Sequence, residues 1–381
     1  MVFSNNLLMG AASAGGYKIA QSCRFNDNDS PELSRTYTLS APWTFSAWVK
    51  RGELTSENLI LGASAGEIHF NANDTLEAET TSSTAVFRDP SAWYHIHVSN
   101  GGLYVNGVSH GAVTTTTLTN TKLFDDFDGY AAEVHLQTGT SAYTNFGETN
   151  DDGVWVPKSA TAGDTYLKFA DSANFGVNSG TGGAWTASGL ATNDQVTDSP
   201  TNNFCTWNYL DKGPTALTLS NGNLGVSTGS GSRQAAKGTI GVSSGKWYWE
   251  MTKGAVQSGS VGVGSQETAL VADGYVGNSA TSWGYLTDGN KANNSTTAAY
   301  GATFTTSDVI GVALDMDAGS ITFYKNNTSQ GVAYTGLSGT VFPMEYTAAS
   351  VENITDFGQL GYTYTPPTGF LALNTSNLPE L

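Results

Sequence analysis

Three histidines are the residues whose type and spacing most directly suggest chemistry. His95 and His97 stand two apart in Trp93-Tyr-His-Ile-His-Val-Ser, and His135 ends the similar run Gly129-Tyr-Ala-Ala-Glu-Val-His. On strands, positions two apart share a face, so three imidazoles could meet on one sheet and ligate a transition metal. Ordinary strand histidines are the simpler expectation, and we adopt it. Asp125, Asp126 and Asp128 crowd one short acidic turn. Such a loop could supply calcium with oxygen ligands, although a solvated turn needs no ion. No other metal or cofactor is expected.

Nucleophilic and carboxylate chemistry fare no better. Gly-x-Ser-x-Gly occurs at residues 62–66 and 241–245, but a nucleophile elbow must sit between a strand and a helix. Neither copy leads into a helical pattern, so both read as turns. Glu77 and Glu79 would share a strand face, yet no third acid or aromatic platform accompanies them. No catalytic residue is assigned.

The elements that must position these groups are strands. Trp43-Thr-Phe-Ser-Ala-Trp-Val-Lys alternates strictly, with Trp43, Phe45, Ala47 and Val49 on one face. Leu103-Tyr-Val, Asn106-Gly107 and Val108-Ser-His read as a hairpin through a type I′ turn. In Asp308 to Asn326, Ile310, Val312, Leu314 and Met316 recur at period two. An Asp-Ala-Gly-Ser turn then leads to a second strand with Ile321 and Phe323 inward. The 45 glycines and 11% aromatics favour short strands joined by turns.

At 381 residues the chain has room for two or three domains. Its formal net charge of −17 disfavours nucleic acid, whose binding draws on Lys and Arg. No apolar run is long enough for a membrane span, and Met1 to Ala14 lacks the basic opening of a secretory signal. We expect a retained arm there. Cys23 and Cys205 fit neither a zinc spacing nor a disulfide framework; free thiols are expected, and a single bridge between them stays open.

The segments Trp43-Thr-Phe-Ser-Ala-Trp-Val, Trp93-Tyr-His-Ile-His-Val, Leu103-Tyr-Val-Asn-Gly and Phe127-Asp-Gly-Tyr-Ala-Ala-Glu-Val together resemble the laminin-G-like, concanavalin A-like lectin family. The resemblance implies a jelly-roll of two antiparallel sheets. Glycanases on such sandwiches carry a Glu-x-Asp-x-x-Glu strand, which this chain lacks.

A second series resembles SPRY (B30.2) domains: Ser244-Gly-Lys-Trp-Tyr-Trp-Glu, Val261-Gly-Val-Gly, Ser282-Trp-Gly-Tyr, Asp308-Val-Ile-Gly-Val-Ala-Leu-Asp, Ile321-Thr-Phe-Tyr-Lys-Asn-Asn and Gly331-Val-Ala-Tyr. It departs at Asn327, where the family usually has Gly. Recognition on such sandwiches falls to loops at one end. The ligand-binding candidates there are Tyr275, Trp283, Tyr285, Asp288, Asn290 and Lys291, with Trp283 and Tyr285 also expected as core.

The expected organisation is all-β: an arm (1–22), a lectin-like sandwich (23–157), an irregular packed connector (158–213), a SPRY-like sandwich (214–356) and an irregular end (357–381). Tyr166-Leu-Lys-Phe is a candidate late strand of the first sandwich. The opening Phe3-Ser-Asn-Asn-Leu-Leu-Met-Gly-Ala-Ala, the central Asp198-Ser-Pro-Thr-Asn-Asn and the Pro-punctuated end resemble virion proteins of marine tailed phages, cyanophages included. That resemblance implies a non-enzymatic structural protein on the virion surface, a capsid appendage, decoration or tail-fibre component, forming a homo-oligomer among other virion proteins. The absence of heptads favours a compact knob over a shaft. Alternatives are an adhesin for host cell-surface glycan and a polysaccharide-cleaving enzyme.

Overall fold

The computed structural model describes residues 16–62, 67–213, 217–228, 234–255, 258–271, 273–348 and 350–379. Most of the expected arm, and the first Gly-x-Ser-x-Gly run beyond Gly62, lie outside them. The described residues form antiparallel strands with a few single 3-10 turns and no α-helix, so the chain is all-β. Two compact units divide it: Met1–Asn203 with Ser220–Gly222, and Phe204–Leu219 with Asn223–Leu381.

The N-terminal unit is a sandwich of an eight-stranded and a seven-stranded sheet among the described residues. At the centre of the larger sheet, Trp43–Arg51 pairs antiparallel with Trp93–Ser99 on one side and Gly129–Thr138 on the other. Its alternation works as expected on the inner face, where Trp43, Phe45, Ala47 and Val49 join a core with Leu61, Ile68 and Phe70. The outer face is the surprise. Thr44, Ser46, Trp48 and Lys50 are buried too, because other parts of the unit lie over them.

Part of that cover comes from the stretch 158–213, which is more regular than an irregular connector. Thr165–Leu167 pairs with Gly129–Thr138, Thr186–Ser188 with Glu32–Leu39, and Gln195–Val196 with Ser22–Phe25. Phe169, Phe175 and Trp185 enter the first core. Asp198 accepts from Lys50 Nζ at 2.8 Å and from the Trp93 indole at 3.0 Å, with both charged side chains fully buried. A buried pair of this kind does little for net stability, but removing one partner strands the other charge.

The C-terminal unit is a second sandwich, of seven and eight strands among the described residues. Val309–Asp315 pairs over its whole length with Lys246–Thr252, and from Ile310 onward with Ser320–Lys325. Ile310, Val312, Leu314, Met316, Ile321 and Phe323 all enter the core, as their period-two spacing requires. Asn326 and Asn327 close the next hairpin with φ of 46° and 65°. Two left-handed residues in succession make a primed hairpin turn, and asparagine tolerates that region better than most side chains, so Asn327 can stand where glycine is customary.

The Pro-punctuated end is tied into this unit. Leu371–Ala372 runs parallel to Trp247 and Tyr248. The buried Glu250 carboxylate accepts from Thr363 N at 2.7 Å and Tyr364 N at 3.0 Å. Cys23 and Cys205 are both buried thiols.

Phe323 has no exposed surface and packs 5.3 Å from the Tyr285 ring. Phe323→Ala should lower the stability of the C-terminal unit by about 3–5 kcal/mol through lost transfer energy and the cavity left behind. Urea unfolding followed by tryptophan fluorescence reads this out; a loss below about 1 kcal/mol would mean the ring is not a core element.

Candidate functional site

The outer face of the larger N-terminal sheet gathers the three histidines. Trp48 lies opposite His95, and Ser46 has His97 on one side and His135 on the other. They do share a face, but none is half-exposed: His95, His97 and His135 are all buried. The hairpin Gly147–Thr149 with Trp155–Pro157, and the turn before it, lie over them. Phe146 packs on His97 and His135, and Trp155 stacks on His95. Trp155 itself sits close over Gly107, where any Cβ would come within 2.6 Å of the ring.

The hydrogen bonds define the state of His95. The Trp155 indole can only donate, and it reaches His95 Nδ1 at 3.0 Å. His95 Nδ1 is therefore the acceptor, and Nε2 carries the proton toward Ser46 Oγ at 2.8 Å. A serine that accepts a hydrogen bond from imidazole is not activated as a nucleophile by it. Burial holds all three imidazoles neutral: His95 is pushed well down, His97 to about 4 and His135 to about 3. His97 Nε2 contacts the Ser141 carbonyl at 3.0 Å, while the Nδ1 atoms of His97 and His135 are buried without partners. Among the described residues no group of three His, Cys, Asp or Glu side chains is arranged to hold a metal ion.

Glu133 lies between these histidines in the strand pattern. The pairing register slips between Ala132 and His135, and Glu133 has a φ of 50°, a left-handed conformation costly for a residue with a Cβ. A bulge of this kind re-aims a side chain. The Glu133 Oε2 atom accepts from Tyr166 Oη at 2.6 Å and from Tyr17 Oη at 3.0 Å. Burial raises the carboxyl above its usual range, and the two hydroxyls only partly offset that. His135 stacks on Tyr166, ring centroids 4.1 Å apart. The two-residue spacing of Glu133 and His135 was the available sign that they lie near one another; Tyr17, Trp155 and Tyr166 could be found only by folding.

The remaining acidic candidates serve local structure. Glu79 stands beyond the Thr75–Ala78 strand with a φ of 57°, not on a strand face with Glu77, and its carboxylate accepts from Thr116 N at 2.8 Å. Glu77 accepts from Ser82 and Asn71. The proposed calcium loop is put to three different uses. Asp125 pairs with Lys122 at 2.9 Å, Asp126 is exposed, and Asp128 is buried. Burial, with Asp27 and Glu53 nearby, pushes Asp128 well above the carboxylate range.

In the C-terminal unit the six ligand candidates separate. Tyr285 is fully buried and its hydroxyl donates to the Ala302 carbonyl, so it is a core residue and no part of a surface site. Trp283 is half-buried against the core, and Tyr275 packs on a smaller cluster with Val276 and Met344. Asp288 and Asn290 do come together in an exposed turn, where the aspartate accepts from Asn290 N at 3.0 Å and Nδ2 at 2.9 Å. Lys291 reaches across to the other sheet. Its Nζ donates to Ala333 O at 2.6 Å and lies 5.0 Å from the Tyr334 ring and 5.8 Å from the Tyr300 ring. Tyr300 and Tyr334, like Trp283, are partly buried against the core, and neither was among the six candidates.

Residues 246–356 match the family model of the SPRY domain. The chain is also similar to the crystal structure of the SPRY domain of human HERC1, at 22% identity over 39% of this chain and 94% of that one, TM-score 0.33. The TRIM65 PSpry domain is similar at 16% identity over 40% and 92%, TM-score 0.33. No curated protein matches the sequence. The C-terminal unit therefore contains a SPRY domain.

The neutral histidines make a pH prediction for the N-terminal unit. Each imidazole titrates near about 6.5 when unfolded and lower when folded, so the unfolded chain takes up protons first as pH falls. Their contribution is complete above that value and is lost progressively down to the folded-state values of about 4 and 3. Melting measured from pH 7 to pH 3 should fall less steeply in His97→Gln than in the parent chain; equal slopes would remove His97 as a cause.

Proposed function

We propose that this chain is a non-enzymatic binding protein, displayed on the surface of a tailed-phage virion as a capsid appendage, a decoration or part of a tail fibre. The observation that carries the binding role is the SPRY domain over residues 246–356, a fold whose use suggests a protein-binding or ligand-binding module. On it Asp288 and Asn290 share an exposed turn, and the neighbouring Lys291 lies beside the partly buried Tyr300 and Tyr334 rings. Aromatic and cationic side chains of this kind anchor recognition surfaces. Against catalysis stands the use already made of the reactive groups: Ser46 receives a hydrogen bond from His95, and Gly241 to Gly245 leads into the strand Lys246–Thr252 instead of a helix.

The virion setting rests on the three short signatures at the start, centre and end of the sequence, and on the lack of any shaft-like repeat. Homo-oligomeric assembly among other virion proteins belongs to the same reading. An adhesin for host glycan is the second reading, favoured by the Lys291, Tyr300 and Tyr334 cluster, since rings and cations also serve sugar recognition.

Two measurements check this. Antibody against the chain should label intact particles in electron micrographs; label confined to unassembled protein would overturn the virion reading. Tyr334→Ala combined with Lys291→Ala should weaken binding of the purified protein to its particle or host cells by roughly tenfold or more, the scale of an anchor truncation. Unchanged binding would place recognition elsewhere.

A further inference from the structure

A lysine, a glutamate and an asparagine meet inside the C-terminal sandwich. Lys253 follows the strand Lys246–Thr252, and Asn353 opens the strand Asn353–Asp356. These strands pair antiparallel with Thr252 opposite Ile354, so the register sets Lys253 against Asn353. Glu345 reaches them from Val341–Thr347, a strand of the other sheet. All three residues are 1% exposed or less. An amine and an acid are costly to hold in such a place, and apolar side chains would fill it without that cost.

Their contacts are ordered around the Asn353 amide. Lys253 Nζ donates to Asn353 Oδ1 at 3.2 Å, and the Gly254 backbone N–H donates to the same oxygen at 2.9 Å. On the other side Asn353 Nδ2 donates to Glu345 Oε1 at 2.7 Å, and the Thr355 hydroxyl donates to Oε2 at 2.7 Å. With a C=O bond of about 1.23 Å, the amide carbon Cγ lies no more than about 4.4 Å from Nζ. A small rotation of the lysine stem closes that to the roughly 3–3.5 Å of a reacting pair. Burial holds the Lys253 ammonium below its usual range and pushes the Glu345 carboxyl up to about 7, which favours a neutral amine beside a neutral acid. A desolvated lysine is the nucleophilic form.

We propose that Lys253 and Asn353 join in an intramolecular isopeptide bond, formed by the chain itself with Glu345 as the proton carrier. The Lys253 ammonium first passes a proton to Glu345, and the Thr355 hydroxyl can turn to accept from the acid so formed. The free amine attacks Cγ. The Nζ–Cγ bond forms, and the carbonyl π pair moves onto Oδ1, where the Gly254 N–H already donates. Glu345 gives its proton to Nδ2 and takes one from the attacking nitrogen. As the π pair returns, the Cγ–Nδ2 bond breaks and its electrons leave on nitrogen, as ammonia. The new amide keeps one lysine proton, the ammonia carries the two amide protons and the one from Glu345, and the acid is restored. No co-reactant is needed. The product ties together two strands far apart in sequence, and the proposal is independent of what the SPRY domain binds.

Intact-mass spectrometry of the purified full chain tests this without any variant. The chain should be lighter than its sequence mass by one ammonia, about 17 Da. An acylated lysine is no longer a trypsin site, so digestion should leave residues 247–291, uncut after Lys253, joined to residues 326–381. Glu345→Gln keeps the size of the side chain and loses the proton carrier. It should show the full sequence mass while melting as a folded protein. Full sequence mass in the parent chain after prolonged incubation would overturn the bond. So would an ammonia loss that maps to another asparagine, such as Asn106 before Gly107. An equally complete bond in Glu345→Gln would overturn the role given to Glu345. Should that variant fail to fold, the parent mass and peptide map still decide whether the bond exists.

Discussion

A strand in a sheet has two faces, and Trp43–Arg51 buries both. All nine of its residues are buried, and much of the N-terminal unit follows from that. The inner face needs only apolar packing, which Trp43, Phe45, Ala47 and Val49 supply. The outer face carries Ser46, Trp48 and Lys50, so its cover must satisfy polar groups as well as exclude water. Asp198 and Trp155 do this for Lys50 and for His95, the cross-strand neighbour of Trp48, from distant parts of the chain. Neutral histidines, a buried ion pair and a re-aimed glutamate are consequences of closing this face.

The C-terminal unit meets the same constraint with fewer polar groups. Its central strands Lys246–Thr252 and Val309–Asp315 are also buried almost throughout. Here the irregular end of the chain covers the sheet, and Glu250 accepts the backbone N–H groups of Thr363 and Tyr364 where no strand partner exists. A buried backbone donor must find an acceptor, and a carboxylate is a strong one. The segment beyond residue 356 thereby belongs to the sandwich. Lys291 reaches from one sheet to the Ala333 carbonyl of the other, beside the partly buried Tyr300 and Tyr334 rings.

Period-two spacing made the sandwiches legible. Ile310 to Met316, Ile321 with Phe323, and Trp43 to Val49 all entered cores, because side-chain direction on a strand is set by position alone. Asn106-Gly107 likewise announced its turn, with both residues at positive φ. The candidate sites were less legible. Tyr285, a candidate both for ligand contact and for the core, lies in the core, and Asp125, Asp126 and Asp128, close in sequence, serve a salt bridge, solvent and the interior. Sequence proximity says little about shared environment in a tight turn, where successive side chains diverge.

What the sequence by itself determined was local: strands, hairpin turns, the two sandwich-like blocks, and the SPRY-type succession of motifs later matched over residues 246–356. Those features depend on alternation and turn chemistry over a few residues, and neighbours in the chain suffice to specify them. Tertiary structure decided the ionisation of the histidines, the aim of Glu133 and the placing of Tyr300 and Tyr334 beside Lys291. Each of these depends on groups far away in sequence, such as Tyr17, Trp155 and Tyr166, because desolvation and hydrogen-bond geometry are set by whatever the fold brings within a few ångströms.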